Sequence, residues 1–213
     1  MSMGRRLPVY LLLDTSGSMS GEPIVAVRQC LKVLISELRN DASALETAYL
    51  SVITFSSSAQ QVVPLTELIA FQEPSLDANG STALGDALNV LEQCMDREVA
   101  KSSPSQKGDW KPLVFIMTDG QPTDSWESAA DRIKKKRECN IIACAAGSGS
   151  DEYILKRITE SVVKLNSLNP GDLAAFFKWV SSSIKQTSQS VAQVAADAPF
   201  ILPPPPPQIT IVP

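Results

Sequence analysis

Histidine does not occur anywhere in the 213 residues. Its absence removes Ser-His-Asp and Cys-His nucleophile arrangements and every His-ligated zinc site. Cysteine is scarce and unpaired in pattern: Cys30, Cys94, Cys139 and Cys144 form no C-x-x-C. Cys30, Cys94 and Cys144 lie inside apolar helix or strand patterns, which reads as buried free thiols in a reducing compartment. No apolar run reaches the roughly 18 residues of a membrane helix. A secretory leader needs about 7–15 apolar residues after its basic start. Here Arg5-Arg6 precede only residues 7–13, Pro8 interrupts that run, Asp14 ends it, and no small-residue cleavage site follows. The expectation is a cytoplasmic protein with no membrane contact. A basic excess is missing too: the net charge of -4 leaves no nucleic-acid footprint. The one cationic run, KKKR at 134–137, falls in the last turn of an expected helix, where cations complement the dipole and stay solvated.

What is present is a core. Hydrophobic residues make up 44% of the chain, enough for one domain, expected over residues 1–185, with a tail over 186–213. Short apolar runs bounded by turn residues predict strands at 7–13, 47–55, 59–63, 112–118, 140–146 and 162–165. Helical spacing predicts helices through Ile24 to Leu38, then at 82–99, 125–138, 151–159 and 173–184. The link at Ser56-Ser57-Ser58 is too short for a crossover, so the third strand is expected antiparallel, at an edge that tolerates Pro64. Alternating strands and helices then give an α/β fold: a doubly wound, mostly parallel six-stranded sheet in the order 3-2-1-4-5-6, with helices on both faces.

In such a sheet the ligand site lies at the carboxyl ends of the strands, where the strand order reverses. That point falls between strands one and four. Strand one ends in Asp14-Thr15-Ser16-Gly17-Ser18 and strand four in Thr118-Asp119-Gly120, while the loop "NGSTALG" at 79–85 opens a helix and offers Ser81 and Thr82. Carboxylates and hydroxyls without nitrogen or sulfur donors favour Mg²⁺, Mn²⁺ or Ca²⁺ over zinc or copper. Each motif alone is also ordinary helix-cap or turn chemistry. Their convergence on one switch point is what suggests a metal.

D-x-S-x-S after a first strand, G-S-T at a helix start and T-D-G after a fourth strand together resemble the von Willebrand factor A (vWA) domain, over roughly residues 7–185. The resemblance implies a metal-ion-dependent adhesion site. Ser16, Ser18 and Thr82 would give hydroxyl ligands, and Asp14 and Asp119 would complete the shell directly or through water. It implies a non-enzymatic interaction module whose metal takes an acidic side chain from a partner. "RRLPVYLLLDTSGSM", "GDWKPLVFIMTDGQPTD" and "NIIACAAG" are similar to the bacterial TerY-like vWA proteins of tellurium-resistance and stress operons. That likeness implies a co-encoded kinase and a PP2C-type phosphatase as partners.

Two other readings compete. Asp14 at the end of strand one could be the nucleophile of a metal-dependent phosphohydrolase of the haloacid-dehalogenase-like kind, but that chemistry wants D-x-D where this chain has D-x-S. A scaffold acting through the tail is the other, since five prolines fill 203–207 between apolar "FIL" and "ITIV". Such a polyproline II segment suits docking onto another domain or a neighbouring copy. "GSGSD" at 147–151 lacks the lysine of a phosphate loop and is expected to be a strand-to-helix turn capped by Ser150 or Asp151. Trp126 suits either packing on a neighbouring helix or an exposed interface anchor.

Overall fold

A computed structural model describes residues 5–147, 149–193 and 202–213. The strands are β1 (Leu7–Asp14), β2 (Ala48–Phe55), β3 (Ala59–Glu67), β4 (Leu113–Thr118), β5 (Asn140–Ala146), β6 (Ser161–Leu165) and β7 (Ile209–Ile211). The helices are α1 (Glu22–Arg39), α2 (Ala42–Thr47), α3 (Leu84–Glu98), α4 (Glu127–Lys136), α5 (Glu152–Ile158) and α6 (Pro170–Gln193). One sheet runs β3-β2-β1-β4-β5-β6-β7. β1 pairs in parallel with β2 and β4, and β5 in parallel with β4 and β6, while β3 and β7 are antiparallel edges.

The central strands are buried on both faces, and their period of two divides the core into two layers. Leu7, Val9, Leu11 and Leu13 of β1 join Leu113, Phe115 and Met117 of β4 beneath α1 and α6. Tyr10 and Leu12 join Val114 and Ile116 beneath α3 and α4 on the other face. α1 buries Ile24, Val27, Leu31, Leu34, Ile35 and Leu38, the stripe its spacing predicts. All four cysteines are buried and free, and burial pushes the Cys139 thiol up to about 12. No helix of the described residues is long and apolar enough to cross a membrane.

Four features depart from the sequence expectation. β3 extends through Pro64 to Glu67, because an edge strand need not donate from every residue and its register against β2 shifts around Val52. The short helix α2 was not foreseen, although Asp41 caps it by accepting from the Ala44 N–H at 2.9 Å. α6 continues beyond residue 184 to Gln193. The polar stretch from residue 186 looked like tail, yet Thr187 and Ser190 each donate to the carbonyl four residues back, which hides their polarity within the helix.

The fourth departure is β7, a seventh strand. Ile209, Thr210 and Ile211 pair with Leu165, Lys164 and Val163 of β6. The Trp179 indole N–H donates to the Pro203 carbonyl at 3.0 Å, and Lys156 Nζ to the Val212 carbonyl at 2.8 Å. From Leu202 onward the segment therefore lies along this chain's own α6 and continues into the sheet edge. The "FI" of "FIL" lies outside the described residues.

Candidate metal centre

β1 and β4 are neighbours and parallel, so their carboxyl ends open at the same end of the sheet, where the chain's crossovers diverge. Asp14, the last residue of β1, is fully buried. Its Oδ1 accepts from the Ser16 N–H at 2.8 Å and its Oδ2 from the Thr118 hydroxyl at 2.6 Å. Asp119 follows β4 and is nearly buried, and its Oδ1 accepts from the Ser18 hydroxyl at 2.8 Å. Ser18 Oγ lies 3.0 Å from Ser16 Oγ. Ser16 is buried and Ser18 exposed, so the cluster is closed beneath and open to solvent above.

Thr82 arrives by backbone. The Gly17 N–H donates to the Gly80 carbonyl at 3.0 Å, and the Asn79 N–H to the Thr15 carbonyl at 2.9 Å, which clamps the 79–82 loop onto the β1 loop. Gly80 has φ +72°, and a Cβ there would lie 2.3 Å from Ser57 Oγ, so the turn needs glycine. On its other side, the Thr123 N–H donates to the Thr82 carbonyl at 2.9 Å, and the Thr82 N–H to the Thr123 hydroxyl at 3.1 Å. Thr82 Oγ1 would lie 3.2 Å from a Cβ on Gly120, which places this hydroxyl beside the β4 loop. All five residues singled out in the sequence therefore lie on three loops that are bonded to one another.

Capping does not account for the hydroxyls. Ser16 precedes a short 3-10 turn (Gly17–Met19) without capping it by its side chain. The residue before α3 is Ala83, not Thr82. The cap of α3 comes from elsewhere: Asp124 accepts from the Gly85 N–H at 3.0 Å and the Asp86 N–H at 2.8 Å. Asp124, Thr123 and Thr118 position the site and were missed as such. In sequence Asp124 looks like a local signal for the following helix, and nothing local shows that it turns back to α3.

Electrostatics point to a cation. Burial pushes the Asp14 carboxyl above its ordinary value, against hydrogen bonds involving Ser16 and Thr118 that pull it down. Burial raises Asp119 as well; the Ser18 hydroxyl opposes this and repulsion from Asp14 adds to it. Two carboxylates that resist ionising together favour a nearby positive charge. The donor set is all oxygen, with only two carboxylates, and no group of three or more His, Cys, Asp or Glu gathers among the described residues. These residues fit a hard divalent cation held mostly by hydroxyls.

The family model for the von Willebrand factor type A domain matches residues 9–187. The chain belongs to this family. Two bacterial relatives are YfbK of Escherichia coli strain K12, 28% identical over 155 residues, and sll0103 of Synechocystis, 35% identical over 124 residues. These matches take in 68% and 55% of this chain but only 24% and 26% of the relatives, so the chain spans about a quarter of their length. Among solved structures, a von Willebrand factor type A protein of Catenulispora acidiphila has a TM-score of 0.66 at 20% identity, covering 85% of this chain and 43% of that one. A mussel byssus protein, proximal thread matrix protein 1, matches with a TM-score of 0.64 at 20% identity over 84% of this chain and 48% of its own. That structure carries zinc in its metal-ion-dependent adhesion motif. vWA domains are in general interaction modules rather than enzymes.

Of the 147–151 segment, Ser148 lies outside the described residues. Asp151 caps α5 by accepting from the Tyr153 N–H at 2.9 Å, while Ser150 donates to the Gly147 carbonyl. Trp126 is half-buried against the α3–α4 layer, with the Arg157 guanidinium 5.6 Å from its ring centroid.

Proposed function

We propose that this vWA domain is a non-enzymatic recognition module, in which Asp14, Ser16, Ser18, Thr82 and Asp119 hold a divalent cation that takes an acidic side chain from a partner protein. The observation that carries the reading is Ser18. Its exposed hydroxyl joins Ser16 to Asp119 at the mouth of a buried carboxylate pair. When bound, the cation supplies Lewis acidity toward an incoming carboxylate oxygen. Hydroxyl donors fill coordination positions without cancelling charge, and that residual charge suits an anionic partner. The rigid strand ends fix the donors, and the Asn79–Thr15 and Gly17–Gly80 bonds keep the loops in register.

Mg²⁺ is the cation we favour from the oxygen donor set, with Mn²⁺ or Ca²⁺ as substitutes. Zinc belongs in the test because the byssus protein holds it. The setting we propose is a bacterial tellurite or chemical-stress response, with a kinase and a PP2C-type phosphatase as partners. It rests on the TerY-like character of residues 5–19, 108–124 and 140–147. Hydrolysis with Asp14 as nucleophile is disfavoured, because both of its oxygens are engaged within a fully buried side chain and the residue two positions on is Ser16.

The test is capture on the immobilised protein from bacterial lysate, in Mg²⁺ and in EDTA, with the Ser18→Ala and Asp14→Ala variants alongside. A kinase or phosphatase retained only with Mg²⁺ and only by the wild type supports the reading. Equal retention in EDTA refutes metal-bridged recognition. Mg²⁺-dependent turnover of an aryl phosphate that is lost in Asp14→Ala would replace it with hydrolysis.

A further inference from the structure

At the opposite end of the sheet, two adjoining cavities of about 350 and 390 Å³ open beside the amino-terminal ends of β4 and β5. Lys111 and Arg137 line both. Buried Ile133, Ile141 and Ile158 line one cavity, and buried Met95 and Trp110 the other.

Most charges here are already committed. Lys134 pairs with Glu160 at 2.7 Å and Lys136 with Glu92 at 2.6 Å. Asp109 is held by Arg6 and by the Ala100 N–H, and Asp96 lies 3.9 Å from Lys101. Among the described residues, the Lys111 and Arg137 side chains form no hydrogen bond or ion pair. Glu138 and Glu160 are exposed carboxylates beside them, Glu160 being paired with Lys134. Arg137 is also the only non-glycine residue with positive φ among those described, at 51°, ending α4 where glycine is the favoured residue. A bulky cation is thus kept in a costly backbone conformation with no hydrogen bond or ion pair among the described residues, only the longer-range attraction of Glu160, and such strain is found at functional positions.

We propose that this groove binds a phosphate monoester carried beside an apolar group, as on a phosphorylated peptide segment of a partner protein. Lys111 and Arg137 meet the phosphate oxygens, Arg137 through its planar fork, and the apolar lining takes the neighbouring side chain. Two uncommitted cations suit a single dianion. They are too few for a nucleic-acid backbone on a chain of net charge -4.

The test is a ¹⁵N NMR titration of the full chain in EDTA. The probes are a phosphoserine peptide flanked by leucines, its unphosphorylated twin, inorganic phosphate and a single-stranded oligonucleotide. Saturable shifts at the amides of Lys111, Arg137, Cys139 and Ile141 are expected, with affinity lower by about tenfold or more in Arg137→Gly and in Lys111→Gln. Arg137→Gly relieves the positive φ, so its melting temperature is expected to equal or exceed that of the wild type, and lost binding then cannot be ascribed to misfolding. Four outcomes overturn the proposal: no saturable shift, shifts unchanged in both variants, equal affinity for the unphosphorylated peptide or inorganic phosphate, or tighter binding of the oligonucleotide.

Discussion

Replacing Asp124 with alanine removes the only side-chain cap of α3 among the described residues. The two N–H groups it satisfies, at Gly85 and Asp86, are the second and third of the helix, and Ala83 before them has no side-chain oxygen to offer instead. Losing an N-cap costs about 0.5–2 kcal/mol. Losing a negative charge at a helix start adds about 0.3–1 kcal/mol. Asp124 is half-buried and water replaces part of what is lost, so the expected cost is about 2 kcal/mol. For a chain of this size that lowers the melting temperature by about 4–8 °C. The effect should reach the metal loop, because Thr82 stands just before α3 and is bonded to Thr123 through both its N–H and its carbonyl. Thermal unfolding by circular dichroism in EDTA reads the first effect, and a Mn²⁺ titration reads the second. Asp124→Asn keeps one acceptor and should fall between wild type and alanine. A melting temperature for Asp124→Ala within about 1 °C of wild type would refute the cap as the device that positions Thr82.

Asp119→Asn relieves the repulsion between Asp14 and Asp119, so in EDTA the variant is expected to melt at or above the wild type. With Mg²⁺ at about a hundred times its dissociation constant, wild type should gain about 2.7 kcal/mol and the variant almost nothing, as paired melting curves would show. Glu92 is held below the usual carboxylate range chiefly by Lys136, with Arg132 adding to it. A depressed folded-state pKa means stability that is present above the unfolded value, about 4.3, and lost as pH falls through the folded one. Glu92→Gln should therefore flatten the acid limb of a urea stability–pH profile while costing under about 1 kcal/mol at pH 7. Deleting residues 208–213 removes β7 and uncovers the β6 edge. Sedimentation should then show stronger concentration-dependent association than the full chain shows.

The centre of the fold was legible because its signals are local and repeated. β1, β4 and β5 are continuous apolar runs, α1 carries an unbroken apolar stripe, and the short Ser56–Ser58 link fixed the direction of β3. Asp14, Ser16, Ser18, Thr82 and Asp119 were legible for a different reason. Strand order brings together the carboxyl ends of β1 and β4 and the loops after them, which carry four of the five, and loop-to-loop backbone bonds add Thr82. What escaped depends on long-range partners. Asp124 caps α3 by accepting from N–H groups 39 and 38 residues earlier in sequence. β7 has only three residues and becomes a strand only because β6 offers it an edge. The end of α6 was masked by hydroxyls whose helical bonding a composition argument does not see.

The most direct measurement is a Mn²⁺ titration followed by electron paramagnetic resonance, on wild type and on Asp14→Asn. The account predicts loss of the free-ion signal at one saturable site per chain in wild type, displacement of that Mn²⁺ by Mg²⁺, and no saturable site in the variant. A wild-type signal that rises linearly from the first addition, or one that saturates identically in Asp14→Asn, would contradict a metal centre at the ends of β1 and β4.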